Sequence, residues 1–280
     1  MNVDLSDTSR ELLAAERAAL SDLLVLLGRV EGSEAALKDL RAALDDLDGS
    51  FLLVVCGEYN AGKSTLLNAL LGMRVMPEGV TPTTDRITVI GFGEELTERT
   101  TAGDVVERTA PIEVLKELSI VDTPGTNAII EGHQELTEGF IPRADLVLFV
   151  TSADRPYTES EREFLGLISS WGKKVSMVVN KADILEGPEE LERVLDFVAE
   201  HTGRTLGSTP PVLAVAARNA LRAREAGDAD GVAEAGLTAL EEHIRENLEA
   251  GERFRLKLLN PLGVGLRVIR TLDAELGNRQ

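Results

Sequence analysis

Leu13, Leu20, Leu24 and Leu27 recur at helical spacing near the start of the chain, with charged and small residues between them. Such a narrow stripe predicts an amphipathic helix that needs a partner. Thr8-Ser9-Arg10-Glu11 fits a capping box at its start, hydroxyl and carboxylate each satisfying a free amide. Gly32-Ser33 interrupts the pattern, and Leu37, Leu40, Leu44 and Leu47 resume it as a second helix. From Phe51 the period changes. Apolar, β-rich runs at Phe51–Cys56, Arg86–Phe92, Leu118–Val121, Leu146–Val150, Val175–Val179 and Val212–Val215 alternate with helical stretches at Thr65–Leu71, Thr158–Ser169, Pro188–Glu200 and Arg218–Arg224. The alternation predicts an α/β fold whose mostly parallel sheet, of six or more strands, is covered on both faces. Ala223–Gly236, rich in Ala, Gly and acidic residues, reads as a linker or loose turn. A last stripe, Phe254, Leu258, Leu262, Leu266 and Ile269, predicts one apolar helical face, kinked or restarted at Pro261. The two terminal stripes are expected to pack on each other as a small bundle. The chain thus divides into N-terminal helices over 1–48, an α/β domain over 49–225 and C-terminal helices over 226–280. The last pattern stops near Gln280 with no closing element, which reads as a piece of a longer protein.

Composition narrows the function. Over 280 residues, 29 Lys and Arg stand against 48 Asp and Glu, a net charge of −19. That balance argues against nucleic acid as a partner, because neutralising phosphates requires clustered cations. It also opposes docking on an anionic membrane. No apolar run approaches the roughly 18 residues of a spanning helix, and no signal peptide is visible after Met1. Cys56 is the only cysteine, so no internal disulfide forms. These features together place the expected compartment in the cytoplasm. His133, His201 and His243 are scattered and read as surface or packing residues, and Asp154, Arg155 and Tyr157 as a solvated loop.

Three motifs carry the chemistry. Gly57-Glu58-Tyr59-Asn60-Ala61-Gly62-Lys63-Ser64 is a complete GxxxxGK[ST] loop, directly after one predicted strand and directly before a helix. Its glycines let the backbone fold around phosphates, so that amides and the helix N-terminus point at them. Lys63 adds a mobile positive charge, and the Ser64 hydroxyl can ligate Mg²⁺. Asp122-Thr123-Pro124-Gly125 follows another strand; Asp122 can hold the metal through a water, and the Gly125 amide can contact a γ-phosphate, ordering a switch segment. Asn180-Lys181-Ala182-Asp183 ends a third strand. The Asp183 carboxylate can accept both the N1 and N2 protons of guanine, a pair that adenine lacks, while the Lys181 stem lies against the base. The three together specify GTP and GDP as ligands.

At these residues the chain resembles a known family. Gly57 to Ser64, continued by Thr65-Leu66-Leu67-Asn68-Ala69-Leu70-Leu71-Gly72, is similar to the phosphate loop and first helix of bacterial dynamin-like proteins, and Pro77-Glu78-Gly79-Val80-Thr81-Pro82-Thr83-Thr84 is similar to their first switch. The resemblance covers about Phe51 to Arg218. It implies a Ras-like GTPase domain, flanked by neck helices from both termini; Leu256 to Val264 is consistent with the family's neck and trunk start. It makes Thr84, twenty residues after Ser64, the choice for the switch threonine on Mg²⁺, with Thr81 and Thr83 as alternatives. It places the Ala217 amide against the guanine oxygen, beside Arg218, although the serine of that element is Ala216 here. A monovalent cation, K⁺ or Na⁺, is a further candidate cofactor. Tyr59 stands where eukaryotic dynamins carry a water-positioning Gln, so the Tyr59 hydroxyl, Asn60 and switch backbone groups are the candidates for organising water. The family further implies a nucleotide-dependent homodimer across the GTPase face, and membrane remodelling by a parent protein that touches lipid through regions outside this chain. A ribosome-assembly GTPase would share all three motifs but normally brings a basic appendage, and a GTP-binding scaffold with little hydrolysis is the other alternative.

Overall fold

The computed structural model describes residues 7–30, 34–45, 47, 49–77, 86–101, 105–124 and 139–277. The chain forms helices α1 (Asp7–Leu27) and α2 (Glu34–Asp45), then strand β1 (Phe51–Gly57) and helix α3 (Lys63–Leu71). Strands β2 (Thr88–Phe92), β3 (Thr97–Thr100), β4 (Val106–Ala110), β5 (Leu118–Asp122) and β6 (Leu146–Ser152) follow. Helix α4 (Glu159–Ser170), β7 (Val175–Asn180), α5 (Pro188–Leu206), β8 (Val212–Val215) and α6 (Ala217–Ala226) complete the alternation, and α7 (Ala229–Glu234), α8 (Leu237–Leu248) and α9 (Ala250–Gly277) end the chain.

Among the described residues eight strands make one sheet in the order β3-β4-β2-β5-β1-β6-β7-β8. Strands β5, β1, β6, β7 and β8 run parallel, β2 turns antiparallel against β5, and β3 is antiparallel to β4. Alternation along β1 splits the core. Phe51, Leu53 and Val55 face a layer with α3, α6, α7 and α8, whereas Val54 and Cys56 face α4, α5 and the terminal helices. The six strands expected from sequence are present, and β3 and β4 are additional. Neither β3 nor β4 carries an apolar run. β4 is held by its parallel ladder to β2 and by the buried Val106 and Ala110, and β3 lies against it with opposed charge pairs, Arg99 with Glu107 at 2.8 Å and Glu98 with Arg108 at 2.6 Å. Charges of this kind also blunt the sheet edge against pairing with other chains.

Three sequence expectations need correction. Helix α1 spans Asp7–Leu27, so Thr8 falls within it rather than ahead of it. Residues 223–236 are not a linker: α6 ends there and α7 begins, Asp228 caps α7 by accepting from the Gly231 amide, and Val232 and Ala235 are buried. Helix α9 is continuous through Pro261, and the face that it buries is not the expected one. Leu256, Val264 and Val268 are buried, while Leu262, Leu266 and Ile269 are exposed. Small residues decide this. A Cβ at Gly263 would stand 2.8 Å from the Trp171 carbonyl oxygen, so glycine is required for this approach of α9, and one at Gly265 would crowd the Leu20 side chain at 3.1 Å. The stripe of α1 is as expected, with Leu20 and Leu27 buried and Leu13 and Leu24 half-buried; α1, α2 and α9 pack on one another. Gly32-Ser33 lies outside the described residues.

Helix α9 also closes the amino-terminal edge of the sheet. Lys257 forms an ion pair with the fully buried Asp145 at 2.7 Å and donates to the Ser50 carbonyl at 2.8 Å. Asp145 further accepts from the Leu52 amide at 2.8 Å and from Asn260 at 3.2 Å. Asn260 donates to the Arg143 carbonyl and accepts from Lys173, and Arg253 donates to the carbonyl of Glu117. The starts of β1, β5 and β6 are thus held by one helix.

Candidate nucleotide-binding site

The parallel register brings the carboxyl ends of the central strands to one edge. Val55 pairs with Asp122, Gly57 with Val150, and Asn180 with both Ser152 and Val215. Because β5 and β6 flank β1 on opposite sides, a crevice opens at its end, the place where open α/β sheets take ligands.

Gly57 to Ser64 turns there from β1 into α3. Positive φ values at Gly57 (143°), Asn60 (62°) and Gly62 (86°) fold the loop back on itself. Two of these are glycine for steric reasons as well: a Cβ at Gly57 would fall 1.9 Å from the Val150 carbonyl oxygen, and one at Gly62 would fall 2.3 Å from the Asn180 amide nitrogen. Lys63 is buried, and its Nζ donates to the carbonyls of Gly57 and Glu58, both at 3.0 Å. Burial lowers its pKa while the nearby Asp122 charge opposes that shift. Ser64 and Thr65 follow on the first turn of α3, with Ser64 Oγ 3.5 Å from Asp122 Oδ2. Tyr59 and Asn60 sit at the exposed tip of the loop, whereas Ala61 is buried.

Asp122 is fully buried, and burial raises its carboxyl to about 6 against the opposing Lys63 charge. Among the described residues its Oδ1 has no hydrogen-bond partner. A buried carboxylate with this oxygen unpaired and the other facing the Ser64 hydroxyl is a donor set that suits a hard divalent cation and its water shell. The residues present therefore fit Mg²⁺. Thr84, Thr81 and Thr83 lie outside the described residues, as do Gly125 and His133.

The guanine-side candidates also converge. Asn180, Lys181, Asp183, Ala217 and Arg218 line a pocket of about 130 Å³ together with Gly62 of the phosphate loop. Lys181 adopts φ 61° and lies 3.5 Å from Asp154, while Asp183 is exposed within the short turn Ala182–Ile184. Asn180 acts as a staple. It is buried, its Nδ2 donates to the Ala61 carbonyl at 2.8 Å, and its Oδ1 accepts from the Ala217 amide at 3.0 Å. The Ala217 amide, the donor expected to meet a guanine oxygen, is engaged by Asn180 in this structure.

Sequence reasoning missed the anchor beside this site. Thr158 and Glu161 form a complete capping box at the start of α4, and the Glu161 carboxylate is buried, accepting from Thr151 Oγ1 at 3.0 Å. Burial raises its pKa to about 7. Thr158-Glu159-Ser160-Glu161 carries the capping signature in plain view. Nor is Tyr157 part of a solvated loop: its Oη donates to the His201 carbonyl at 3.0 Å, and its ring meets Phe197 and His201. His201 and His243 are packing residues, His243 lying 2.8 Å from Ser176 Oγ. Cys56 is fully buried and its thiol pKa is pushed up by burial, which leaves it unreactive.

Comparison with known proteins agrees with this architecture. The model of the dynamin family matches residues 53–116 and 103–183. The chain is 36% identical over 296 residues to the probable transmembrane GTPase FZO-like, chloroplastic, of Arabidopsis thaliana, a match that covers 97% of this chain and 32% of that protein. It is 29% identical over 206 residues to the bacterial dynamin-like protein of Nostoc punctiforme, covering 58% of this chain and 30% of that one. Among solved structures, one chain of an oligomerised bacterial dynamin pair superposes with a TM-score of 0.64 at 20% identity, covering 98% of this chain and 49% of its own. The chain therefore spans about a third of the length of these two curated relatives. Residues 53–183 thus carry a dynamin-family GTPase domain, and the chain as a whole is similar to bacterial dynamin-like proteins.

Proposed function

We propose that this chain binds GTP and GDP with Mg²⁺ and hydrolyses GTP. The observation that carries the reading is the convergence, at one sheet edge, of a loop with three positive φ angles, a buried lysine, an unpaired buried carboxylate oxygen and the Asp183 pocket. Phosphoryl transfer requires positioning and charge neutralisation more than a strong base. The loop amides and the N-terminus of α3 would hold the phosphates, Lys63 would neutralise the β- and γ-oxygens, and Asp183 would check the base. Ser64 directly, Asp122 through a water and Thr84 would hold Mg²⁺, which supplies further charge stabilisation on those oxygens. Replacing Asp183 with Asn is expected to weaken GTP binding by about a hundredfold and to favour xanthine nucleotides, because the purine edge is then read by the wrong donor pattern. Competition titration with GTP, XTP and ATP measures this; an unchanged order of affinities would remove Asp183 from base recognition.

Tyr59, 40% exposed, carries no carboxamide to orient an attacking water. That supports a second reading of the same surface, in which two GTPase domains meet across their nucleotide faces and order the switch segments. The similar oligomerised bacterial dynamin pair is described as sensing and tethering membranes, and we infer that a longer parent of this chain remodels membranes. Among the described residues no helix is long and apolar enough to cross a bilayer, and the charge of −19 opposes anionic lipid. Specific GTPase activity is expected to rise at least several-fold with protein concentration through the range where dimers form. Turnover that stays flat while sedimentation shows dimers would dismiss the self-association.

A further inference from the structure

Glu58 places a negative charge inside a loop shaped for an anion, and such a charge weakens phosphate binding unless its side chain is directed away. It is directed to the start of α4. Its Oε1 accepts from Thr158 Oγ1 at 2.6 Å and from Ser160 Oγ at 2.6 Å. A carboxylate suits that position, because a helix N-terminus carries a positive partial charge. The main chain of the same residue faces the opposite way: its carbonyl accepts from Lys63 Nζ at 3.0 Å and from the Ala61 amide at 3.2 Å. One residue therefore links the phosphate loop and its lysine to a helix on the other side of β1.

That helix is a firm support. Phe164, Leu165 and Ile168 of α4 are buried in the core, and Glu161 ties its first turn to Thr151 of β6. The cap of α4 does not need Glu58, since Thr158 and Glu161 already satisfy each other's amides, Thr158 N donating to Glu161 at 2.9 Å. The short contacts from Glu58 are thus surplus to the helix and serve the loop.

We propose that Glu58 is a positioning residue for the nucleotide reaction: by pinning the phosphate loop to Thr158 and Ser160, its carboxylate holds the loop amides and Lys63 in register for the β- and γ-phosphates without touching them. This rests on the assignment of the cleft to GTP. It differs from a backbone contribution of Glu58, because any residue would supply the amide and only a long acceptor reaches α4.

The test compares Glu58→Ala, Glu58→Gln and Ser160→Ala in the full chain, using a fluorescent GDP analogue for affinity and steady-state GTP turnover for KM and kcat. Loss of two hydrogen bonds to a charged acceptor is expected to raise Kd and KM about tenfold in Glu58→Ala. The urea midpoint should stay close to that of the wild type. The Glu58→Gln amide oxygen still accepts from both hydroxyls and should bring affinity back to within about threefold. Ser160→Ala, which removes one donor from the α4 side, should weaken binding by about threefold alone and add little to Glu58→Ala. Wild-type affinity in Glu58→Ala, or a Glu58→Gln variant as weak as Glu58→Ala, overturns the proposal while leaving the GTP assignment intact. Should Glu58→Ala fail to fold, unaltered affinity in Ser160→Ala overturns it equally. A wild-type chain that binds no GTP in the presence of Mg²⁺ removes the underlying assignment, a result distinct from either.

Discussion

Replacing Lys63 with alanine is expected to lower the affinity for GTP by about two orders of magnitude, the loss of charge-assisted contacts to two phosphate groups. The structure explains why no neighbour can substitute. Lys63 stands on the first turn of α3, buried, with its ammonium turned onto the carbonyls of Gly57 and Glu58. Those carbonyls hold the charge over the loop and leave it close to the position that a β- or γ-phosphate would take. The other cations described in the cleft, Lys181 and Arg218, line the purine-side pocket, Lys181 3.5 Å from Asp154, and serve a different end of the ligand. Lys63→Met, which keeps the aliphatic stem, should show nearly the same loss, because charge rather than packing is removed. Calorimetry on folded, nucleotide-free protein measures both variants; retention of GTP binding within a few-fold of wild type would mean that the phosphates lie elsewhere.

The second large effect is on stability, at the opposite edge of the sheet. Asp145→Ala is expected to destabilise the fold by about 3–5 kcal/mol, the typical result of stripping one partner from a buried ion pair. Lys257 would be left nearly buried beside a void, and the Leu52 amide would lose its acceptor. Asp145→Asn keeps an acceptor for Leu52 and should cost less. Lys257→Met reverses the problem and adds a pH signature. Burial already lifts the Asp145 carboxyl above its unfolded value, with Lys257 opposing. Without that opposing charge the folded pKa moves further up, so stability is retained in acid and lost as pH rises through it. Urea unfolding at several pH values reads both effects, and Asp145→Ala with a wild-type midpoint would show that the pair contributes nothing.

How much of this was legible in the sequence depends on what kind of interaction makes each element. The parallel strands were visible because burial on both faces forces continuous apolar runs, as in Leu146–Val150. Strands β3 and β4 were invisible, since their facing residues Glu98, Arg99, Glu107 and Arg108 look like any solvated stretch until the register is known. The buried side of α9 was misread for a related reason. Leucines at helical spacing outweigh glycines in any apolar pattern, yet Gly263 and Gly265 set the approach of the helix to Trp171 and Leu20. At the site, Asn180, Lys181, Asp183 and the phosphate loop were legible because their chemistry is concentrated in short runs placed at strand ends. The bond from Glu58 to Thr158 and Ser160 spans about a hundred positions and leaves no local trace, although the capping signature that starts its partner helix was there to be read.

The clasp that α9 makes on Ser50, Asp145 and the Glu117 carbonyl has a consequence for biosynthesis. Strand β1 is made early, but the lysine that neutralises the charge beside it is translated about two hundred residues later. While the ribosome is still producing the intervening segments, Asp145 and the head of the sheet stay open to water, and tertiary closure must wait for α9 to leave the exit tunnel. Contacts of such long range slow closure and prolong the exposed interval. A stalled chain that has released β8 but not Lys257 should therefore be the species most readily cut by proteases and most often held by chaperones.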